Sequence, residues 1–180
     1  MRNSLDLGCG ENPRNPFEAN NIFGVDVRNI NDSRIKVANL FFEPIPFGDE
    51  YFDFVTAFDF IEHIPRVLSL FNPISQKNEI KNPFIDLMNE VYRVLKMGGL
   101  FYSHTPALPH PAAFQDPTHV NFITEKTFPL YFNDHYPVGH MYGFNGGFKI
   151  LEQKWEGEHL ITAMVKSIRP DISRFKSTQA

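Results

Sequence analysis

Two short segments of the chain place glycine or an acid directly after an apolar run. Gly8 and Gly10 follow the run at residues 4–7, and Asp26 closes the run that starts at 22. Glycines at a turn let a ligand approach the backbone closely and meet its N–H groups. A carboxylate at the tip of a neighbouring strand can accept hydrogen bonds from both hydroxyls of a ribose. Together the two segments predict a site for an adenosine-containing ligand.

Each of these residues also has a purely structural interpretation. Many strands end in glycine only because the chain must turn, and an acid such as Asp26 is common at exposed strand ends. Cys9 lies between the two glycines. We expect its backbone to matter there, and we expect no nucleophilic thiolate. The coincidence of the glycine turn with the acid favours the binding site.

A second group of reactive side chains lies further along the chain. Asp116 and His119 stand three residues apart, in a segment rich in histidine and aromatic residues. A carboxylate near an imidazole can orient it as a base. His63 follows the fourth apolar run and would face the same crevice. We predict His119, His63 and Asp116 as the catalytic group. The alternative is that Asp116 only starts a turn, His119 packs against its surroundings and His63 is a structural loop residue.

Metal binding is another chemistry open to these side chains. His104, His110, Asp116 and His119 are residue types that bind zinc or iron. Their spacing matches no compact ligand motif, so we expect no metal site. Trp155 is expected to pack in the core and not to serve as a stacking platform.

The elements that must position these residues follow from the apolar pattern. Runs rich in strand formers predict seven strands. They are residues 4–7, 22–27, 34–40, 52–58, 100–105, 148–151 and 159–165. One helix is predicted from Asn82 and Pro83 to Leu95, with Gly98 and Gly99 as its stop. Strands that alternate with helices or loops predict an α/β fold, with a mostly parallel sheet and helices on both faces.

Other segments are assigned by composition. Residues 44–49 form a turn, and the polar stretch 72–82 indicates a flexible insertion. The chain has 180 residues and 42% hydrophobic content, which fits one domain. We assign residues 1–168 to that domain and 169–180 to a tail.

Four motifs occur in the order and spacing of a known family. They are residues 5–10, 24–26, 46–55 followed by 62–64, and 95–100. Over residues 4–105 the chain resembles the class I S-adenosylmethionine-dependent methyltransferases, especially the broad bacterial group of small-molecule enzymes. The resemblance implies a Rossmann-like domain that transfers a methyl group from S-adenosylmethionine to a small-molecule acceptor. It also implies that residues 106–146 form a substrate cap.

The resemblance implies a role for each residue at the methionine end of the cofactor. Asp6 would help to hold the amino group. Gly8 and Gly10 would make room for it, and Cys9 and Phe58 would offer their backbone. A sulfonium methyl group is already activated, so the protein mainly aligns the acceptor and excludes water. A base helps only where the acceptor must lose a proton.

At the other end of the cofactor, Asp26 with Val27 beside it would bind the ribose, and Asn39 and Leu40 would flank the adenine. The chain departs from the family around Asn12, where the family frequently has a third glycine, and prolines shorten the helix that follows. It also begins at the first strand, without the N-terminal helix that commonly covers the site. We expect either an open site or a cover supplied by a partner subunit, and a homodimer would be one such arrangement.

Two other functions fit parts of the pattern. A nicotinamide-dependent oxidoreductase also uses a glycine turn and a ribose carboxylate, but Pro13 breaks its G-x-G-x-x-G motif. A non-catalytic adenosyl-binding or interaction subunit would fit the missing N-terminal cover. Methyl transfer is preferred because the aromatic and histidine-rich cap offers an acceptor pocket.

The composition of the chain limits which partners and which cellular compartment we expect. The formal net charge of −4 and the pI near 6.0 argue against nucleic acid as a substrate. The single cysteine excludes an internal disulfide, and no signal stretch or run of about 18 apolar residues occurs. We expect a cytoplasmic chain with no membrane partner. Basic residues near the end are predicted to be solvated; they are Lys166, Arg169, Arg174 and Lys176, interrupted by Asp171.

Overall fold

The protein was analysed as a computed structural model, which describes residues 1–170. Its strands are β1 (Asn3–Leu7), β2 (Asn21–Asp26), β3 (Ile35–Val37), β4 (Phe52–Phe58), β5 (Leu68–Asn72), β6 (Lys77–Lys81), β7 (Leu95–Pro106), β8 (Phe148–Glu156) and β9 (His159–Lys166). Its α-helices are α1 (Pro83–Val94), α2 (Ala112–Gln115) and α3 (Thr127–Tyr131). Two 3-10 helices lie at Ile61–His63 and Val138–Tyr142.

Seven of the strands form one sheet, in the order β3-β2-β1-β4-β7-β9-β8. Within that sheet β9 runs antiparallel to its neighbours β7 and β8, and the other pairs are parallel. The predicted seven-stranded α/β sheet is therefore confirmed. The helical content is low. Within residues 1–170 only α1 is longer than five residues. No helix in that range is long and apolar enough to span a membrane.

Helix α1 forms where a start signal meets apolar residues at helical spacing. Asn82 precedes Pro83 at the first helical position, where the missing N–H of proline costs nothing. Phe84, Met88 and Val91 then lie on one face of the helix and are buried. That face packs into the core beside β7.

Aromatic rings connect residues 106–146, the segment predicted to be the cap, to this core. Phe132 of the cap is fully buried and meets Phe84 of α1 with ring centroids 5.3 Å apart. Phe132 also meets Phe144 at 5.0 Å, and Phe144 stacks on Phe148 of β8 at 6.2 Å. Buried aromatic side chains contribute strongly to core stability. The cap is therefore part of the main core and not a separate layer.

The predicted helix stop at Gly98 and Gly99 is wrong. Helix α1 ends at Val94, and β7 begins at the next residue, Leu95. Leu95 pairs with Phe52 of β4, so strand pairing takes over before the glycines are reached. Gly98 lies inside β7 with φ of +75°, in the region where the register between β4 and β7 shifts.

Three other segments differ from their predictions. The third strand is limited to β3, and the sixth extends as β8, so that Trp155 lies within a strand. The stretch 72–82 is not a loose insertion, because β5 and β6 pair there as an antiparallel hairpin. That hairpin is largely exposed, so it lacks the buried apolar face from which strands are predicted.

Lys166 belongs to the sheet and not to the predicted solvated run. Its ammonium group donates to the carbonyl of Leu95 at 2.7 Å and to Oε1 of Glu50 at 3.2 Å. A buried charge needs such partners. Arg169, the next basic residue of the predicted run, follows the sheet. The remaining residues of the run lie outside the described part of the chain; they are Asp171, Arg174 and Lys176.

Candidate functional site

The strand order reverses at β1, which lies between β2 and β4. Leu7 pairs with Val25 of β2 on one side and with Ala57 of β4 on the other. Because the three strands are parallel, the residues that follow them meet at one edge of the sheet. Open α/β sheets bind their ligands at such a switch point. The glycine turn and Asp26 lie at the same edge, as the sequence predicts.

Side chains of the protein pack tightly on the glycine turn. Gly8 and Gly10 have φ of +65° and +59°, a region that favours glycine. A Cβ at Gly8 would overlap the ring of Phe60, and a Cβ at Gly10 would lie 3.2 Å from Nη2 of Arg28. The room that we expected for a ligand is therefore taken by Phe60 and Arg28, neither of which was predicted.

The backbone donors of this turn are used within the protein. The N–H groups of Gly8 and Cys9 donate to the carbonyl of Val25 at 2.8 and 3.2 Å. The N–H group of Gly10 donates to Oδ2 of Asp26 at 2.9 Å. This corrects the expectation that a ligand meets these N–H groups, because they join β1 to β2 instead.

Asp6 lies behind the turn and not at its surface. Its Oδ2 accepts from the N–H of Arg14 at 2.8 Å, and its Oδ1 accepts from Oγ1 of Thr56 at 2.7 Å. Burial raises the pKa of this carboxyl group, although both bonds act in the opposite direction. With both oxygens engaged and 2% of the residue exposed, Asp6 is suited to holding the turn and not to reaching a methionine amino group.

The raised pKa of Asp6 gives the free energy of unfolding a defined pH dependence. The folded chain holds this proton more tightly than the unfolded chain does. The stabilisation is therefore complete below the ordinary pKa and is lost as pH rises through the raised value. We expect the stability of the wild type relative to Asp6→Asn, measured by urea unfolding, to fall as the pH rises above the ordinary pKa of an aspartate.

Asp53→Asn is a control with the opposite sign. Burial acts to raise the pKa of Asp53, but hydrogen bonds from Lys96 and Asn3 outweigh it, so the pKa is lowered. Its stabilisation is present above the ordinary pKa and is lost as pH falls. A wild-type advantage over Asp6→Asn that grows with pH would contradict the assignment for Asp6.

Cys9 points away from solvent, against β2. A Cβ at Gly24 would overlap its Sγ atom, so the thiol fills the space beside that glycine. Burial raises the pKa of Cys9 to about 12, and the charges of Asp6 and Asp26 act in the same direction. The thiol is therefore protonated at neutral pH and is a poor nucleophile.

Arg28 covers the carboxylate of Asp26. Oδ1 of Asp26 accepts from the backbone N–H of Arg28 at 3.0 Å and from its Nε at 2.9 Å. Burial acts to raise the pKa of Asp26, but the bonds from Arg28 and Gly10 outweigh it and hold the pKa below its ordinary value. The carboxylate is charged and 8% exposed, whereas the Arg28 side chain is 62% exposed. The guanidinium group can turn into solvent, which would free the acid.

A cavity of about 290 Å³ opens beside Asp26. This volume is close to the lower limit of small-molecule sites, which span roughly 300 to 1,000 Å³. The predicted cofactor residues in its wall are Gly8, Asp26, Val27, Asn39 and Leu40. Those outside the wall are Asp6, Cys9, Gly10 and Phe58. The ring of Phe58 is covered instead by the guanidinium group of Arg14, 4.5 Å from the ring centroid.

Two groups of histidines and carboxylates flank this cavity. In the first, Oδ1 of Asp59 lies 3.1 Å from Nε2 of His159 and 3.7 Å from Nδ1 of His104. Sequence reasoning missed this group as a base, although a signal was present. Asp59 directly follows β4, and Phe58 pairs with His104 in register, so both residues lie at the edge that carries the cavity.

The second group contains the three residues predicted to be catalytic. The rings of His63 and His119 lie 4.9 Å apart, and Thr118 Oγ1 lies 3.1 Å from Nδ1 of His63. Asp116 does not orient His119, because Oδ2 and Nε2 are 4.0 Å apart. Instead, Oδ1 of Asp116 accepts from the N–H and Oγ1 of Thr118 at 2.7 and 2.6 Å. Glu62, to which sequence reasoning gave no separate role, belongs to the same cluster.

The four residues considered for a metal are not brought together. His104 lies in the first group, and His119 and Asp116 lie in the second. His110 packs against Trp155, with ring centroids 4.8 Å apart. Trp155 also donates from Nε1 to a glutamate carboxylate, so it is held in place as a packing residue.

Comparison with known proteins gives structural matches. No protein-family model and no curated protein matches the chain. A Burkholderia thailandensis 1,6-didemethyltoxoflavin-N1-methyltransferase with bound S-adenosylhomocysteine aligns with a TM-score of 0.53 and 12% identity, over 92% of this chain and 71% of that one. A structure of the Haloferax volcanii Trm112 methyltransferase activator with a methyltransferase aligns at 0.56 and 14%, over 91% and 82%. The [4+2]-cyclase SpnF aligns at 0.53 and 12%, over 94% and 74%.

At such low sequence identity these structural matches establish only the fold, and the activity has to be argued from the residues of the site. The chain therefore has the fold of the class I S-adenosylmethionine-dependent methyltransferases.

Proposed function

We propose that this protein is an S-adenosylmethionine-dependent methyltransferase that acts on a small-molecule acceptor. The observation that carries the proposal is the carboxylate of Asp26. It is charged, it ends β2 beside the glycine turn, and it lines the switch-point cavity. A carboxylate in this position suits the two hydroxyls of an adenosine ribose. The formal net charge of −4 supports a small molecule over a nucleic acid.

The residues of the cavity fit this cofactor once Arg28 has turned away. Asp26, with Val27 beside it, would then hold the ribose hydroxyls, and Asn39 and Leu40 would lie against the adenine. The bound cofactor supplies a methyl group that is already activated. The protein has to align the acceptor and exclude water.

His63 is our candidate for the group that takes a proton from the acceptor, where the acceptor has one to lose. It lines the cavity, and its Nδ1 is held by Thr118. His119 and Asp116 lie outside the cavity wall, so we assign them to positioning the cluster. Asp59, a further acid in the same wall, is an alternative for this step.

Binding of S-adenosylhomocysteine, the product form of the cofactor, tests the proposal directly. We expect it to raise the thermal unfolding temperature of the protein, whereas NAD leaves that temperature unchanged. A rise with NAD alone would favour the nicotinamide-dependent oxidoreductase instead. Transfer of a labelled methyl group from S-adenosylmethionine to members of a metabolite panel then tests the activity.

Arg28→Ala should strengthen the binding of S-adenosylhomocysteine by about two- to fivefold, because the ribose no longer has to displace an exposed ion pair. Isothermal titration calorimetry measures the change. Arg34→Ala is the matched control, since Arg34 pairs with Asp32 across the same spacing but outside the cavity wall. Weaker binding by Arg28→Ala would show that the guanidinium group helps to hold the ligand.

A non-catalytic adenosyl-binding subunit is a second candidate. It is favoured by the packing of Phe60 and Arg28 on the glycine turn, which leaves a small cavity. Tight binding of S-adenosylhomocysteine without methyl transfer to any acceptor of the panel would support it. Turnover of one acceptor would exclude it.

The assembly and location of the protein remain predictions. We propose a cytoplasmic protein that binds a small-molecule acceptor and forms a homodimer. Light scattering after size-exclusion chromatography measures the mass in solution. A mass near 20.8 kDa, that of one chain, would contradict the dimer.

A further inference from the structure

A buried carboxylate and two imidazoles meet where the cap lies against the segment that follows β4. Glu62 and His63 belong to the 3-10 helix Ile61–His63, and His119 belongs to the cap. Each residue has one potential ligand atom, and these atoms lie within 4.8 Å of one another. We propose that Glu62, His63 and His119 bind a divalent transition-metal ion. This proposal concerns ion binding alone and does not depend on methyl transfer.

An ionised Glu62 side chain would be costly in this buried position. It is 1% exposed, and its Oε2 accepts from Oγ1 of Thr105 at 2.6 Å. Its Oε1 is buried and has no hydrogen-bond partner within residues 1–170. A cation beside Oε1 would offset this cost, because a buried charge is stabilised when it is paired.

The backbone around Glu62 fixes the geometry of the cluster. The carbonyl oxygen of Glu62 accepts from the N–H groups of Val120 and Asn121, both at 2.9 Å. These are the two residues that follow His119. The cap histidine is therefore held beside the carboxylate by backbone bonds, and a preformed arrangement loses less entropy when it binds an ion.

Contacts at Nδ1 of each imidazole leave the lone pair of its Nε2 available. Nδ1 of His119 lies 3.3 Å from the carbonyl oxygen of Ala113, which can only accept, so Nδ1 carries the proton. Nδ1 of His63 lies 3.1 Å from Oγ1 of Thr118. That hydroxyl donates its own proton to Asp116, so it accepts from His63. Both Nε2 atoms then keep a lone pair, as in metal sites whose histidines donate their other N–H to the protein.

The ring angles favour this cluster over the other one. The rings of His63 and His119 are 75° apart, so two lone pairs in the ring planes can converge on one point. The group formed by Asp59, His104 and His159 is equally close. However, its two rings are stacked at 10° with centroids 4.4 Å apart. Parallel rings direct their lone pairs past each other, so that group serves as the internal control.

The donor set indicates the class of ion. Two imidazoles and one carboxylate suit Zn²⁺ and Fe²⁺, whereas Mg²⁺ and Ca²⁺ prefer oxygen ligands. Ligand atoms around an ion at about 2.1 Å lie at most about 4.2 Å apart. The three ligand atoms lie within 4.8 Å of one another and would have to reach that spacing when the ion binds. With the ion in place His63 is a ligand, and in the proposed reaction the proton acceptor is then Asp59.

The test uses the full chain after treatment with a chelator. We expect Zn²⁺ and Co²⁺ to raise the thermal unfolding temperature and Mg²⁺ to leave it unchanged. Calorimetry should give one ion per chain, and the visible absorption of bound Co²⁺ should report imidazole ligands.

Two variants assign the ion to this cluster. Glu62→Gln keeps the size of the side chain and an acceptor for Thr105 but loses the charge, and His119→Ala loses one ligand. Each should weaken Zn²⁺ binding at least about tenfold. His159→Ala should bind Zn²⁺ as the wild type does. Far-UV circular dichroism and unfolding temperatures without metal establish that each variant is folded.

Three results would overturn the proposal. They are the absence of Zn²⁺ and Co²⁺ binding by the wild type, equal Zn²⁺ affinity in the wild type and both cluster variants, and loss of binding in His159→Ala alone. The effect of S-adenosylhomocysteine on the same samples is measured separately, so failure of the metal site and failure of the proposed function are distinguishable.

Discussion

Asp26→Ala is expected to lower the affinity for S-adenosylhomocysteine by about 5- to 100-fold. A charge-assisted hydrogen bond contributes roughly 1 to 3 kcal/mol, and each 1.4 kcal/mol is about tenfold in affinity. Asp26 is the predicted ribose ligand in the cavity wall, and Arg28 and Gly10 hold its carboxylate in place. Titration calorimetry gives the dissociation constants of the wild type and the variant.

Two further variants separate ligand binding from folding. Asp32→Ala breaks a similar ion pair, with Arg34, outside the cavity wall. It should leave the affinity unchanged. Asp26→Asn retains an oxygen that can accept from the N–H of Gly10, so it preserves the turn but loses the charge. Wild-type affinity in both Asp26 variants would remove the main support for the proposed function.

Gly8→Ala is expected to destabilise the fold by about 2 to 5 kcal/mol. A left-handed backbone costs a residue with a Cβ roughly 1 to 2 kcal/mol, and overpacking adds about 1 to 3 kcal/mol. Both costs apply here, because φ is +65° and the new Cβ overlaps the ring of Phe60. Urea unfolding of the wild type and the variant measures the difference.

Gly98→Ala isolates the backbone contribution. Gly98 has φ of +75°, but a Cβ there meets nothing within 4 Å. We expect a loss of roughly 1 to 2 kcal/mol. Phe60→Ala in the Gly8→Ala background should recover part of the larger loss, because the overlap is then removed. Equal losses for the two single glycine variants would show that Phe60 does not restrict Gly8.

The edge of the sheet that carries the site is predictable because it depends on local patterns. An apolar run followed by Gly8, and another followed by Asp26, identify strands that end in a turn and in an acid. Parallel pairing then brings the two ends together. The same reasoning applies to Asp59, which follows β4, and to His104, which lies near the end of β7, so they could have been proposed from the sequence.

The side chains that fill the site were not predictable, because they come from distant parts of the chain or from competing local bonds. Phe60 packs on Gly8 across the junction of β1 and β4, a contact that no local pattern specifies. Asp116 illustrates the second case. The carboxylate of Asp116 accepts a hydrogen bond from the N–H of Thr118, two residues along the chain, and makes none with His119.

The secondary-structure prediction failed where pairing between strands outweighs the local preference of the residues. Gly98 and Gly99 are a reasonable helix stop, but Leu95 is already paired with β4. The hairpin of β5 and β6 was missed because its two strands are polar and exposed, and neither shows a buried apolar face.

The aromatic attachment of the cap limits how far the cap can move away from the core. A cap attached only by loops could swing outward. The same movement here would expose Phe128, Phe132 and Phe144, which are fully buried, to water. Exposing one such ring costs about 1.5 to 3 kcal/mol, and the three together rival the roughly 5 to 15 kcal/mol that holds a whole domain folded. The wall of the cavity beside Asp26 contains no residue of the cap, so access to the cavity depends on side chains of that wall, such as Arg28 and Phe60.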